Sequence, residues 1–171
     1  MEMPVHGFQT VDSLDFRRGM SRLGAAVNIV TTKAADGPYG FTASAVCSVS
    51  DTPAMLLACL NRTSSCFPAF EKAQYFGVNT LSSGHEALSN LFGGKTAMAE
   101  RFAGGQWREG CSGSPLLADA LVHFECELVQ SLDLGTHRVL FGRVIGLATG
   151  DCEDALFYVA RRYATLSTRE A

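Results

Sequence analysis

Two long alternating segments in the last third of the chain constrain the fold most strongly. ALVHFECELVQSL and RVLFGRVIGLAT alternate apolar with polar residues, and only DLGTH separates them. Alternation over this length is typical of β-strands, and so short a connection predicts an antiparallel hairpin. ALFYVARRYATL then follows as a final strand. A hairpin of this kind argues against a fold built from parallel βαβ units, and no GxGxxG motif follows any predicted strand.

The earlier part of the chain supplies further strands and short helices. SLDFRRGMSRL predicts a short amphipathic helix with Ser13 as its N-cap, and AAVNIVTT leads through the tight connection KAADGPYG into GFTASAVCSVSDTP. AMLLACL predicts a strand buried on both faces, and a short helix follows it within NRTSSCFPAFEKAQ. YFGVNTL predicts another strand, and SSGHEALSNLF predicts a helix that has a capping box at Ser83 and Glu86 and ends at Gly93 and Gly94.

This pattern predicts a mainly β fold, an antiparallel and closed or nearly closed barrel with short peripheral helices and a ligand at its rim. The 171 residues suit one domain, 13–168, after an N-terminal lead-in, 1–12. The glycine-rich stretch GGKTAMAERFAGGQWREGCSGSP predicts a long excursion around a short helix near 97–102. Long ordered loops of this kind tend to be functional.

Composition excludes several classes of partner. With 47% hydrophobic and 18% charged residues, the chain is apolar enough to predict a subunit interface or a lined pocket. The net charge of −3 and the scattered Lys and Arg argue against nucleic acid. No stretch is apolar enough to span a membrane, and the N-terminus lacks the pattern of a signal peptide, so we expect a cytoplasmic protein. The spacing of the six cysteines predicts buried free thiols and no metal site.

The stretch GFTASAVCSVSDTP carries unusual side chains for a strand. Read as one strand, it places the apolar Phe41, Ala43, Ala45, Cys47 and Val49 on one face. Small hydroxyls dominate the opposite face, which comprises Thr42, Ser44, Val46, Ser48 and Ser50. Small side chains would let a flat ligand approach the backbone amides, but close packing beneath a second sheet explains the pattern equally well.

Three other segments carry candidate binding residues. NRTSS, at the end of a buried strand, combines hydroxyls and a guanidinium at a predicted helix start, which suits either a phosphate or simple capping. FGGKTAMAERF adds Lys95 and Arg101 in a flexible loop without the spacing of a P-loop. His137 lies at a predicted turn, and Arg161, Arg162 and Tyr163 lie at the last strand.

The order and content of these motifs resemble a known family over about 16–166. AAVNIVTT, GFTASAVCSVSDTP, LLACLNRTSS, VNTLSSGHEALSNLFGG, MAERF and GTHRVLFGRV look like the small flavin reductase components of two-component flavin-dependent monooxygenases. The resemblance includes the reductases that serve hydroxyphenylacetate, chlorophenol and pyrimidine-degrading oxygenases. It implies an FMN-binding split β-barrel, usually a homodimer, that reduces FMN or FAD with NADH or NADPH. The reduced flavin would pass to a separate oxygenase.

The resemblance also implies roles for individual residues. The isoalloxazine and ribityl chain would lie along Thr42, Ser44, Ala45, Val46, Cys47 and Ser48. The ribityl and phosphate ends would be held by Cys59, Asn61, Ser64 and Ser65, with Lys95 and Arg101 as subsidiary anion partners. His137 would lie near the nicotinamide, and Arg161 and Tyr163 would close that pocket. Many relatives have a histidine where this chain has Ala164, so a second histidine contact is not implied here.

Hydride transfer between two cofactors needs ring stacking and stabilisation of charge, rather than a nucleophile or an acid–base pair. No GxSxG elbow or Cys–His pair indicates a hydrolase or acyl transferase. A non-catalytic flavin-binding or sensor protein on the same barrel is the alternative.

Overall fold

Strands form most of the regular structure. The computed structural model describes residues 11–152 and 154–167. The strands are β1 (Ala25–Ala26), β2 (Asn28–Ala34), β3 (Gly37–Ala43), β4 (Val46–Asp51), β5 (Ala54–Asn61), β6 (Tyr75–Thr80), β7 (Trp107–Glu109), β8 (Pro115–Leu117), β9 (Val122–Leu134), β10 (His137–Thr149), β11 (Asp154–Val159) and β12 (Arg162–Ser167). The helices are α1 (Ser13–Met20), α2 (Phe67–Glu71), α3 (Glu86–Gly93) and α4 (Met98–Ala103), and a 3₁₀ turn, Ser83–His85, precedes α3. The predicted mainly antiparallel β fold with short helices is confirmed.

The central sheet has seven strands in the order β3-β2-β6-β9-β10-β5-β4. Its edge strands β3 and β4 are consecutive in sequence and are joined by Ser44 and Ala45. The amide of Cys59 in β5 donates to the carbonyl of Ala45 at 3.1 Å, which places this junction against β5. The two edges of the sheet therefore meet at Ser44 and Ala45, and we call this two-residue junction the seam.

Two hydrophobic cores lie on opposite sides of β2. Val30 packs with Phe41, Leu60 and other residues inside the barrel. Ile29 packs with Phe92 and other residues in a second core that α3 covers. Because neighbouring side chains of a strand point to opposite faces, β2 is buried on both faces and fixes α3 relative to the barrel.

The GFTASAVCSVSDTP stretch is two strands, so the prediction of one continuous strand was wrong. Phe41 and Ala43 face the barrel core as predicted. Beyond the seam the alternation is reversed: Val46 packs against the core, whereas Cys47 is exposed. β3 pairs with β2, whereas β4 pairs with β5. The chain therefore changes its pairing partner at the seam. Val49 lies at a bulge in β4 and is also exposed.

The long C-terminal hairpin is confirmed. β9 and β10 pair from Leu134 opposite His137 as far as Val122 opposite Thr149, with Gly135 at φ 56° in the turn. Because His137 is the first residue of β10, it lies on a strand rather than at the predicted turn.

The predicted single final strand is instead a second hairpin. β11 and β12 pair with Tyr158 directly opposite Tyr163, and β1 completes a three-stranded sheet. Ala160 and Arg161 form the turn, with φ of 51° and 62°. These angles normally favour glycine or asparagine, so the sequence carries no turn signal here.

Both predicted helix caps were one residue late. Asp12 caps α1, and its carboxylate accepts from the amides of Leu14 and Asp15. The capping box before α3 consists of Ser82 and His85, and α3 itself ends at Gly93 as predicted.

The predictions of full burial for β5 and for the thiols were also wrong. β5 buries one face, including Leu56 and Leu60, and leaves the other partly exposed. The cysteines are free, but burial holds only for Cys66 and Cys126; Cys59 is half-buried and Cys47, Cys111 and Cys152 are exposed. In the part of the chain that the structure describes, no helix is both long and apolar enough to cross a membrane.

Candidate functional site

The seam presents small side chains and free backbone donors. Ser44 and Ala45 are exposed, and in residues 11–152 and 154–167 their amides donate to no protein acceptor. Thr42, at the end of β3, donates from its hydroxyl to the carbonyl of Ser89 in α3 at 2.7 Å. The seam is thus anchored on one side by α3 and offers two N–H groups to a ligand that can approach closely.

A groove of about 570 Å³ lies beside the seam. We call it the hairpin groove, because the β11–β12 hairpin forms one wall, α3 forms the other, and Thr42 and Ser44 lie between them. Its lining residues are Val27, Thr42, Ser44, Glu86, Ser89, Asn90, Tyr158, Arg161, Arg162 and Tyr163. Its volume is in the range of small-molecule and cofactor sites.

Tyr163 fastens the two walls of the hairpin groove together. Its hydroxyl donates to Asn90 Oδ1 at 3.0 Å and lies 2.9 Å from Ser89 Oγ. Its ring packs edge-on against Tyr158 with centroids 5.2 Å apart. These contacts hold α3 and the hairpin at a fixed separation.

The turn of the hairpin is strained, and it carries Arg161. Left-handed backbone at Ala160 and Arg161 costs roughly 1–2 kcal/mol for each residue. The amide of Ala160 donates to the carbonyl of Ser21 at 2.6 Å, which ties the turn to the end of α1. The strained turn places Arg161 along the groove, where its guanidinium is available to an anion.

A second groove of about 650 Å³, which we call the helix groove, lies between α1 and the seam. Leu14, Met20 and Leu23 contribute apolar surface and Arg17 contributes a cation. The two grooves share Ser44, Tyr158 and Arg161, so they meet at the seam.

A second group of predicted residues lies on the outer face of β4, β5 and β10. Asn61 and His137 are directly opposite in the β5–β10 ladder, and the hydrogen bond from the Cys59 amide to the Ala45 carbonyl links this face to the seam. The Nδ1 atom of His137 lies 2.9 Å from the hydroxyl of Thr136. Burial raises the pKa of the Cys59 thiol, and the nearby thiol of Cys47 raises it further. Cys59 is thus held as a neutral wall residue rather than as a nucleophile.

The polar loop after β5 is organised around Asn61. Its side-chain oxygen accepts from the amide and the hydroxyl of Thr63, each at 2.9 Å. Ser64 accepts from the amide of Cys66 at 3.3 Å, whereas Ser65 lines a separate cavity with Lys33 and Lys72. α2 has only five residues, so the predicted helix-end contribution to phosphate binding is small.

Arg101 has a different role from the one predicted. It is buried, and its guanidinium donates to the carbonyls of Gly40, Phe92, Gly94 and Thr96 at 2.8–3.2 Å. Since these carbonyls occupy its donors, it fastens the loop after α3 to β3, and we remove it from the candidate site. Lys95 lies in that loop and is exposed.

The structure therefore divides the predicted site into two parts. Thr42, Ser44, Ala45, Arg161 and Tyr163 meet around the seam and the grooves. Cys47, Cys59, Asn61 and His137 lie on the adjoining outer face of the sheet. Ser48 is exposed on the edge strand but lies opposite Leu56, on the other side of β4 from Cys47. Val46 offers a ligand only its backbone because its side chain packs inward.

Similarity to known proteins shows the family of the chain. The family model described as "flavin reductase like domain" matches residues 20–167. The chain belongs to the flavin reductase family. It is 52% identical over 161 residues to the FMN reductase (NADH) RutF of Variovorax paradoxus, covering 94% of this chain and 89% of that protein.

Solved structures of this family share the fold. A candidate flavin reductase of Haemophilus somnus superposes with a TM-score of 0.89 at 38% identity, covering 91% of this chain and all of that one. BorF, the flavin reductase component of a bacterial two-component tryptophan halogenase, gives a TM-score of 0.84 at 28% identity, covering 92% and 100%. The predicted family and its barrel are confirmed.

Sequence reasoning missed one wall of the hairpin groove. Glu86, Ser89 and Asn90 lie on one face of α3 at i, i+3 and i+4 spacing. That spacing was a usable signal, but the contact that gives Ser89 and Asn90 their role is with Tyr163, which is more than 70 positions away in sequence. Tyr158 was missed because the turn after it was not predicted.

Proposed function

We propose that this protein reduces FMN with NADH and releases the reduced flavin to a separate oxygenase. The observation that carries this proposal is the seam, where two free amides between small side chains adjoin grooves lined by arginine. Membership of the flavin reductase family supports it, as does a relative named FMN reductase (NADH). BorF, which serves a two-component halogenase, supports the transfer to a partner.

The residues at the seam fit a flavin. The free amides of Ser44 and Ala45 can donate to the pyrimidine edge of the ring, where negative charge develops on reduction. Thr42 adds a hydroxyl beside them, Ser48 is proposed to add another from the exposed strand β4, and Cys47 and Cys59 add small side chains. When bound, the flavin accepts the hydride of the dihydronicotinamide, so the protein needs no nucleophile of its own.

Other residues are proposed to bind the ribityl chain and phosphate of the flavin and the nicotinamide nucleotide. Asn61, Ser64 and Ser65 are proposed to hold the ribityl chain and phosphate, and the exposed Lys95 is proposed as a cation for the same phosphate. His137 is proposed to orient the nicotinamide. Arg161 and Tyr163 close the nicotinamide nucleotide site from the hairpin side, where Tyr163 already fixes the separation of the walls.

A homodimer is proposed on the apolar surface of the barrel. Val129, Leu132 and Leu134 of β9 and Ile145 and Leu147 of β10 are exposed in the single chain. Leu132 and Leu134 lie near the turn of the β9–β10 hairpin and Leu147 lies near its far end, so a partner copy would cover the length of the hairpin. Sedimentation equilibrium should give twice the mass of one chain, and Leu147→Lys should shift the protein towards monomer; a wild-type monomer at all concentrations would contradict the dimer.

Steady-state oxidation of NADH and NADPH with riboflavin, FMN or FAD tests the proposed function. The purified protein should oxidise NADH only when a flavin is added, with saturation in both substrates and the highest kcat/KM for FMN. Flavin binding without NADH oxidation would instead identify a non-catalytic flavin-binding protein.

A further inference from the structure

The two walls of the hairpin groove carry opposite charge. Arg161 and Arg162 lie on the hairpin wall, and Glu86 lies across the groove on α3. Within residues 11–152 and 154–167, none of the three makes an ion pair within 4 Å. Both signs of charge are therefore available to one ligand that crosses from wall to wall.

The backbone of Glu86 is held firmly. It begins α3 directly after the capping box of Ser82 and His85, and His85 Nε2 lies 3.1 Å from Asp119 Oδ2. One turn further on, Ser89 and Asn90 contact the hydroxyl of Tyr163. The backbone of Glu86 is thus held by contacts before and after it in the first turn of α3. Its side chain is exposed at the rim of the groove.

The adenosine diphosphate half of a nicotinamide dinucleotide matches this arrangement. Guanidiniums bind the diphosphate well because they combine charge with several donors. A carboxylate accepts from the ribose hydroxyls, as the acidic residue of NAD-binding sites does. Tyr158 is 39% exposed and offers an aromatic surface to the adenine.

We infer that Glu86 sets a preference for NADH over NADPH by lying beside the adenosine ribose. This inference rests on the proposed reductase function and names the residue that selects its hydride donor. A 2′-phosphate on that ribose would replace a hydroxyl donor with an anion next to the carboxylate. At an exposed rim, such repulsion and the lost hydrogen bond correspond to about 5- to 10-fold in affinity.

The test compares Glu86→Gln with Glu100→Gln. Glu100 also lies in the first turn of a short helix, so the control removes the same charge from an equivalent helix position. Glu86→Gln should lower kcat/KM for NADH and raise it for NADPH, changing their ratio by about 5- to 10-fold, with KM for FMN unchanged. Glu100→Gln should leave the ratio at the wild-type value.

Calorimetry with ADP-ribose and 2′-phospho-ADP-ribose provides a second measurement that does not depend on turnover. The wild-type protein should bind ADP-ribose more tightly, and Glu86→Gln should reduce or abolish that difference. Unchanged nucleotide ratios in both experiments would overturn the inference, as would a change in KM for FMN without one in KM for NADH. A wild-type protein that oxidises neither nucleotide would instead refute the proposed reductase function.

Discussion

Replacing Arg101 by lysine tests whether this arginine supports the fold or binds an anion. The guanidinium donates from Nε to Thr96 at 2.8 Å, from Nη1 to Phe92 at 3.1 Å and Gly40 at 3.2 Å, and from Nη2 to Gly94 at 2.9 Å. Phe92 and Gly94 lie at the C-terminal end of α3, where a cation is favoured by the helix dipole.

The expected loss in the free energy of unfolding follows from the N–H donors of Arg101 that lysine cannot replace. A single ammonium can retain about two of the four contacts, and each lost hydrogen bond to a charged donor is worth about 1.5–3 kcal/mol. Gly40 and Phe92 are buried, so their carbonyls would have no access to water if lysine abandoned them. Arg101→Lys should therefore lower the free energy of unfolding by about 3–6 kcal/mol, measured by urea denaturation.

Lys95→Gln is the matched control, because Lys95 is exposed in the loop that Arg101 fastens. It should change the free energy of unfolding by less than about 0.5 kcal/mol and raise KM for FMN, while KM for riboflavin, which has no phosphate, stays constant. Arg101→Lys with full stability and a raised KM for FMN alone would refute the structural role and restore the anion role predicted from the sequence.

Three further substitutions probe the site and the fold. Ser48→Phe, on an exposed edge position, should raise KM for FMN several-fold with a stability change below about 0.5 kcal/mol, and unchanged flavin kinetics would remove Ser48 from the site. His137→Ala should weaken NADH use and retain FMN affinity in separate titrations; equal losses would contradict its place at the nicotinamide. Burial by itself raises the pKa of Glu125, but hydrogen bonds from the amide and hydroxyl of Ser112 outweigh it and hold the pKa below its ordinary value. This carboxylate stabilises the fold above the unfolded pKa of about 4.3, and the stabilisation is lost as pH falls through the folded pKa. Thermal unfolding against pH should accordingly be less acid-sensitive for Glu125→Gln, and an unchanged slope would argue against this contribution.

The parts of the fold that were predictable depend on local pattern. The β9–β10 hairpin followed from alternation and the glycine in its turn, and α3 ended at the predicted Gly93. The seam had no such signal, since Ser44 and Ala45 interrupt the strand only because its two halves pair with different neighbours. Ala160 and Arg161 turn the chain without glycine for a similar reason: pairing of β11 with β12 imposes the angles.

The candidate site was predictable where one strand carries several of its residues. Thr42, Ser44 and Ala45 could be identified together because they are adjacent in sequence. The opposite wall of the groove joins Glu86 to Arg161 across 75 positions, and only the fold brings them together. Arg101 shows the opposite limit. A cation in a glycine-rich loop has the same sequence signature whether it binds a phosphate or a set of backbone carbonyls.

Anaerobic mixing of the protein with FMN and NADH tests the central claim most directly. Loss of the absorbance of oxidised flavin should be fast with the wild-type protein and saturable in both ligands, and it should be slowed strongly by Ala45→Trp, which fills the exposed seam. Flavin that binds but stays oxidised, or an Ala45→Trp protein that reduces FMN at the wild-type rate, would contradict the assignment of flavin reduction to the seam.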